Sequence, residues 1–464
     1  MAAGWSLDLE GREGPRYIAI ADAIADAVAT GGLAAGDQLP THRDLADALG
    51  VTVGTVTRGY AEARRRGILV GEVGRGTFVR SREPALDPLA AGDGSDEIDL
   101  GPSFMLVEGL DEGAVLASTL QTVAESRALH ALVSDYAATE ARRGHREAGA
   151  QWLRDRVPQA RPDEIVLTSG GQHGMVVSLA AVARAGDVVL TSALSYPGIK
   201  AVAQMLGLKL VGVAMDDEGI RPDALQRAIE HHEPAAVYLV PTIQNPTSIT
   251  LSEARRAAIV EVVAPSRAVL VEDDAYGELL PDCPPTLAAR LPERTIYVST
   301  CSKTMAPGLR VGFVHAPLSL VPRIRASVRS TVWMPAPLMT EVAARWILSG
   351  AATTLLERRR VEARLRQRLA HRILGAWSIR ADPQGFFVWL TLPEPWCRAD
   401  FVRAAKQRGI LIVGADAFVV GRHEAPHAVR ISLGSVRQRA TLERALTELA
   451  DLLQSGAEPD IAVV

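Results

Sequence analysis

The sequence predicts an α/β chain of two unequal parts. A small helical unit closed by a β-hairpin comes first. A large unit follows, with a central, mostly parallel sheet and, at its end, a smaller α/β subdomain. Three observations predict this. Apolar residues recur at helical spacing, punctuated by capping residues, through residues 12–80. From about residue 98, apolar β-branched runs alternate with helical stretches, the pattern of parallel strands covered on both faces. The last hundred residues or so alternate like an antiparallel sheet with helices on one side.

In the front unit, "YIAIADAIADAVATGGL" is a helix that stops at Gly31-Gly32. Thr41 N-caps "HRDLADALG", with Asp44 in the first turn, where a carboxylate suits the helix dipole, and Gly50 closes it. Thr52 caps a third helix, "VTVGTVTRGYAEARRRG". "ILVGEVGRGTFVR" reads as two short strands around a Gly-rich turn, Gly74 and Gly76 bracketing Arg75. Three helices and a hairpin wing make a winged helix-turn-helix, assigned to residues 12–80. The third helix would enter a DNA major groove and offer Thr52, Thr55 and Arg58. Arg43 is placed to reach a phosphate or a guanine, and Arg75 at the wing tip to enter the minor groove. The run Arg64-Arg65-Arg66 reads equally well as a contact to the DNA backbone or as a solvated helix end.

"SREPALDPLAAGDGSDE", rich in Pro, Gly, Asp and Ser, is a linker over residues 81–97. Residues 98–455 form the large unit. Its strands include "DVVLTS", "AAVYLVP", "AVLVEDD" and "TIYVST", and "QHGMVVSLAAVARAG" is one of its helices. The smaller subdomain starts at about residue 350 with "LLERRRVEARLRQRLAHRIL", read as a long solvated connecting helix, and continues with "GFFVWLTLP", "ILIVG" and "AVRISLG".

Composition narrows the function. At 464 residues the chain is too long for one domain, and its 48% apolar content suffices for large cores. A formal charge of −4 excludes a polyanion binder that works through global charge, so any basic surface is local. Three cysteines, Cys283, Cys301 and Cys397, share no paired or metal-like spacing, which fits a reducing compartment. No apolar signal core and no apolar run of about 20 residues occurs, so a cytoplasmic protein with no membrane partner is expected.

The segment "CSKTMAPGLRVGF" fences Lys303 with serine, proline, glycine and arginine. Lysine forms Schiff bases with aldehyde cofactors such as pyridoxal phosphate (PLP), and that cofactor has further needs. Its phosphate needs backbone N–H groups at a helix start and a cation. "LTSGGQHG", with Gly170 and Gly171, sits where a strand passes into a helix, and Thr300 and Arg310 flank the lysine. Its pyridine nitrogen needs a carboxylate, and "VLVEDDAYGE" puts Glu272, Asp273 and Asp274 at a strand end, an arrangement that demands a cationic neighbour. Its phenolic oxygen needs donors, which Tyr276 and Asn245 in "VPTIQNPT" can supply. Tyr196 in "SALSYPG" can stack on its ring.

These segments resemble the fold type I aminotransferases, the aspartate aminotransferase superfamily. The resemblance implies that Lys303 carries the cofactor, that Asp273 pairs with the pyridine nitrogen, and that Asn245 and Tyr276 bind the phenolic oxygen. It implies further that Tyr196 stacks and that Gly171, Gln172, Thr300, Ser302 and Arg310 hold the phosphate. Arg430 in "AVRISLG" matches the arginine that receives a substrate carboxylate, a task suited to the guanidinium fork. Tyr136 matches a tyrosine that reaches the neighbouring subunit's phosphate. Three positions depart from the family: Ser248 and Ala141 stand where glycine is usual, and Gly171 where a small hydroxyl or alanine is common.

The front unit resembles the GntR family of winged-helix regulators through "GDQLPTHRDLADALGVTVGTVTRGYAEARRRGIL" and "GRGTFV". The two together resemble the MocR subfamily. That resemblance implies a PLP-dependent transcriptional regulator, a homodimer with the DNA unit swapped onto its partner, which binds a DNA operator and senses an amino compound or PLP itself. The departures point to weak or absent transamination; the alternative is a working aminotransferase that carries a DNA-binding unit.

Overall fold

The computed structural model describes residues 7, 9, 14–34, 36–66, 68–72, 76–79, 97–109, 112–126, 129–134, 143–421 and 423–456. Arg75, Tyr136, Ala141 and all of the expected linker except Glu97 lie outside them.

The front unit follows its capping residues. Helices Arg16–Ala29, His42–Leu49 and Val53–Arg65 precede an antiparallel hairpin, Leu69–Glu72 with Gly76–Val79, in which Leu69 faces Val79. Thr41 Oγ1 accepts from Asp44 N at 3.3 Å and Thr52 Oγ1 from Thr55 N at 3.2 Å, each satisfying an N–H that a helix start leaves free. Gly50 ends the second helix at φ 61°, a left-handed conformation that favours glycine. Ile20, Ile24, Leu45, Val56, Tyr60 and Leu69 form the core, and Tyr60 donates its hydroxyl to Pro40 O at 2.9 Å.

The large unit is built on a seven-stranded sheet. Its strand order is Ile165–Thr168, Gly312–His315, Thr295–Thr300, Val269–Asp273, Ala236–Leu239, Val188–Ser192 and Lys209–Val213. Only Gly312–His315 runs antiparallel to its neighbours. The inner strands are buried along almost their whole length, because helices pack on both faces. The smaller subdomain has a four-stranded antiparallel sheet, in the order Ile379–Ala381, Phe387–Thr391, Ala428–Ser432, Val413–Gly414. It is covered by helices Arg398–Gln407 and Arg439–Ser455, whose Phe401, Leu442, Leu446 and Leu449 face the sheet's Val388, Leu390, Val429 and Ile431. Among the described residues no helix is long and apolar enough to cross a membrane.

One expectation needs correction. The arginine-rich helix, Ala351–Leu374, is not a solvated connector. Its positions 355, 359, 362, 366, 370 and 374 share one face, and that face is buried. Arg366 donates Nε to Glu362 Oε1 at 2.7 Å and its remaining N–H groups to the carbonyls of Leu106, Leu433, Val436 and Arg437. Arg359 pairs with Glu112 at 2.9 Å. A guanidinium carries five donors in a fixed fork, so it can be buried where loop ends present carbonyls; counting charges along a helix does not show this. In the Arg64-Arg65-Arg66 run, Arg64 and Arg65 are exposed and Arg66 is half-buried, and all three have partners within the protein. Arg64 donates to Thr77 Oγ1 at 3.3 Å, and Arg66 pairs with Glu62 at 2.8 Å and with Asp22. Arg65 bonds Glu62 and reaches the smaller subdomain at Glu424, 3.2 Å away, and at His427.

Candidate functional site

The candidate residues come from different segments but meet at the carboxyl ends of the parallel strands, where an open α/β sheet leaves its crevice. Strand Ile165–Thr168 leads to Gly170, which caps helix Gly171–Val182 with φ 86°. Its φ favours glycine, and a Cβ on Gly170 would come 2.8 Å from Arg310 Nη2; one on Gly171 would come 3.3 Å from Thr300 Cβ, so the loop packs closely against both side chains. Thr300 Oγ1 bonds Ser302 Oγ at 3.0 Å and accepts from Ser302 N at 3.2 Å. Arg310, itself at φ 50°, extends its guanidinium over this loop, 3.5 Å from Ser302 Oγ and from Ser169 O. A helix start, two hydroxyls and an exposed arginine therefore converge, the arrangement an anion needs. The Gln172 side chain donates to Gly198 O at 3.2 Å, in the turn that carries Tyr196.

Strand Val269–Asp273 presents the three acids, and the structure separates them. Glu272 accepts from Leu287 N at 3.1 Å and Ala288 N at 2.8 Å, at the start of a short helix, with the Arg256 guanidinium 3.5 Å away. Asp274 accepts two bonds from Arg156, at 3.0 and 2.8 Å, and one from Tyr297 at 2.9 Å. Against the upward push of burial, the Arg156 charge holds Asp274 below the usual carboxylate range. Among the described residues no arginine reaches Asp273. It accepts from Tyr238 at 2.6 Å; burial lifts it to about 6, and Tyr238 and Lys303 pull it back. Both flanking acids are spent on structure, which leaves Asp273 for the cleft. Sequence reasoning missed Tyr238, Arg156 and Arg256. The signal available for Tyr238 was a hydroxyl in the otherwise apolar "AAVYLVP"; Arg156 and Arg256 gave none.

Lys303 is half-buried, with Nζ 5.7 Å from the centre of the Tyr276 ring and a hydrogen bond to Ser103 O. Burial, then the charge of Arg430, lowers it to about 8, while Asp273 opposes the shift. Tyr276 is wedged edge-on between Phe386 and Phe387, its hydroxyl 2.7 Å from Ser103 Oγ, and burial raises it to about 12. Tyr196 is half-buried and raised by burial and then by Asp273; Arg430 and Arg310 oppose this, so its hydroxyl lies within the field of all three. Arg430 lies on strand Ala428–Ser432, its guanidinium 5.0 Å from the Phe418 ring centre and 5.7 Å from that of Phe387. It donates to Asn245 Oδ1 at 2.7 Å and to Gly101 O. Its buried Nε has no partner among the described residues, and burial lowers the group to about 10. Ser248 holds φ 60°, a conformation that favours glycine, and donates to Phe387 O at 3.3 Å.

On the front unit, Arg43 and Arg58 are exposed, the latter 5.3 Å from the centre of the Tyr17 ring. Thr52 and Thr55 sit at the start of the third helix with their hydroxyls 2.9 Å apart, so capping already engages both.

Two family models match. One, aminotransferase class I and II, covers residues 107–449; the other, the GntR family of bacterial regulatory proteins, covers residues 16–79. The chain is 27% identical over 457 residues to YdeF, an uncharacterised HTH-type transcriptional regulator of Bacillus subtilis (strain 168), covering 97% of this chain and 96% of the relative. It is 27% identical over 447 residues to PdxR, an HTH-type pyridoxine biosynthesis transcriptional regulator of Corynebacterium glutamicum, with 94% and 96% covered. Among solved structures, a kynurenine aminotransferase of Pyrococcus horikoshii superposes with a TM-score of 0.70 at 24% identity, over 79% of this chain and 92% of that one.

Proposed function

The chain belongs to the class I and II aminotransferase family and carries a GntR-type DNA-binding unit in front, the MocR arrangement, and on that premise we propose that it is a PLP-dependent transcriptional regulator that senses an amino compound. One observation carries the reading: two cations, Lys303 and Arg430, share one cleft with Asp273, an acid that among the described residues no arginine neutralises. Bound there, PLP would supply an aldehyde and an electron-poor ring.

The residues present fit that group. Gly171, Gln172 through its place at the helix start, Thr300, Ser302 and Arg310 would hold the phosphate. Tyr136, outside the described residues, would add to the partner subunit's site in a homodimer with the DNA unit swapped onto the partner. Asp273 would face the ring nitrogen, Tyr196 the ring, and Asn245 and Tyr276 the phenolic oxygen. Lys303 is suited to attack the aldehyde because its lowered pKa leaves a useful share of neutral amine near pH 8. Arg430, with its unpartnered Nε, is suited to take a carboxylate. A change in that cleft would then alter how the front unit, with Arg43, Arg58, Thr52, Thr55 and Arg75, sits on an operator. We assign the DNA unit to residues 12–80, the linker to 81–97 and the PLP unit to 98–455, in a cytoplasmic protein.

Borohydride reduction of the purified protein followed by mass spectrometry tests the premise: a pyridoxyl adduct on Lys303 is expected, and its absence overturns the proposal. Titration with amino compounds, recording cofactor absorption and DNA binding together, tests the sensing. Two other readings have specific support. The Lys303 pKa also suits the proton shift of a working aminotransferase, and rapid repeated exchange between an amino acid and a keto acid would put that reading first. The likeness to PdxR favours a sensor of PLP itself, in which apo and holo protein differ in DNA affinity with no amine added.

A further inference from the structure

We propose that residues 98–106 form a two-point latch over the cleft, held at Lys303 by Ser103 O and at Arg430 by Gly101 O, and fully released only when cofactor and a carboxylate are both present. The inference rests on the function proposed above and adds how occupancy of the site leaves it.

The latch is pinned at both ends to the smaller subdomain. Ile98–Asp99 pairs in parallel with Ile410–Leu411. Ile98 N donates to Gly409 O at 2.7 Å, Leu100 N to Leu411 O at 2.8 Å, and Ser432 N to Leu100 O at 2.8 Å. At the far end Leu106 N donates to Gly434 O at 2.8 Å and Leu106 O accepts from the buried Arg366 at 2.9 Å. Between these anchors the chain turns two carbonyls onto the cations of the cleft: Gly101 O accepts from Arg430 Nη2 and Ser103 O from Lys303 Nζ. Ser103 Oγ also meets Tyr276.

Both bonds occupy donors that the proposed function requires. Lys303 joins the cofactor by forming a C=N bond from Nζ to the aldehyde carbon; two amine hydrogens leave with the aldehyde oxygen as water. At most one N–H would then remain on Nζ where the amine had two or three, so its hold on Ser103 O would weaken. Arg430 still grips Gly101 O. A carboxylate competes better than a neutral carbonyl for a guanidinium, because it adds net charge and can take two N–H groups, including the Nε that now has no partner. The second grip then goes. In sequence the latch directly follows the linker from the DNA-binding unit, and its Ile98–Leu100 anchor lies between that linker and the two grips.

Gly434 offers a way to lift the latch without touching either cation. A Cβ there would lie 1.9 Å from Phe104 O and 2.8 Å from the Phe104 carbonyl carbon, so Gly434→Ala must displace the latch backbone.

Hydrogen–deuterium exchange of peptides spanning residues 98–107 is the test. The full-length protein is compared as apo, with PLP, with acetate alone, and with PLP plus acetate or propionate, carboxylates without an amine that would free Lys303, at concentrations that shift the bound cofactor's absorption. Exchange is expected to rise in two steps, each about tenfold, with PLP and then with the carboxylate, and acetate alone should give less than the pair. Folded Gly434→Ala, checked by circular dichroism, should exchange fast in every state. Uniform protection in all four wild-type states, although Lys303 carries the pyridoxyl adduct, would overturn the latch and leave the proposed function standing. No adduct would overturn both. Failure of either carboxylate to shift the absorption would remove Arg430 as the second grip and with it the two-point latch.

Discussion

In the front unit Arg43 and Arg58 stand in solvent, with a tyrosine ring beneath Arg58 as its recorded neighbour. In the large unit Arg156, Arg256, Arg359, Arg366 and Arg430 are all less than 10% exposed, and each meets oxygen acceptors. An exposed arginine keeps its rotamer freedom and its water, so it can adjust to a long polyanion whose phosphates supply most of the affinity. A buried one has been desolvated and oriented during folding and serves a fixed geometry. The same residue type thus marks a surface that docks in one region and an architecture that positions charge in the other. Arg430 differs from the four named with it in carrying an orphaned Nε next to the cleft.

The contrast can be broken by truncation. Arg366→Ala strands buried Glu362 and four carbonyls, and should lower unfolding free energy by about 3–5 kcal/mol in denaturant titrations. Arg58→Ala should leave stability within about 0.5 kcal/mol. Equal losses would erase the distinction.

On DNA the order reverses. Arg43→Ala and Arg58→Ala are each expected to weaken operator binding by about 1–3 kcal/mol in fluorescence anisotropy if they read bases. If they touch only phosphate, the loss should be similar on all sequences and the salt dependence flatter. The cofactor spectrum should not change. Unaltered binding by both variants would remove these residues from the interface.

Lys303 sharpens the comparison through pH. Its folded pKa is depressed to about 8, so the neutral, nucleophilic amine appears as pH rises through 8. PLP loading of apo protein in stopped-flow absorption should accelerate about tenfold from about pH 7 to about pH 9 and then level off. A rate still climbing steeply beyond that range would mean an unshifted lysine. The same depression makes this lysine's contribution to stability unfavourable below pH 8 and progressively relieved between 8 and its unfolded value, because the unfolded chain then holds more protons.

The smallest effect is local. Thr52→Ala removes the cap of the third helix and should destabilise the front unit by about 1 kcal/mol, with no change in Lys303 chemistry. A perturbed cofactor spectrum would show that the two units are tightly coupled at rest, through the contact from Arg65 to Glu424 and His427.

The elements of both units were legible in the sequence because their signals are short-range. Caps at Thr41, Thr52 and Gly50, the apolar β-branched run in "TIYVST", and the glycines at the start of helix Gly171–Val182 each act within a turn or a strand. Lys303, Asp273, Tyr196, Asn245 and Arg430 could be picked out as candidates because each lies at or just beyond a strand of recognisable pattern. The tertiary structure alone decided what each charge does. Whether Asp273 or Asp274 faces the cleft depends on Arg156, 118 positions from Asp274, and on Tyr238 in a neighbouring strand. The fate of Arg366 depends on carbonyls at residues 106 and 433. The grip of Ser103 on Lys303 spans 200 positions. Electrostatic interactions are set by distance and by exclusion of water, and neither is written along the chain until packing brings remote segments together.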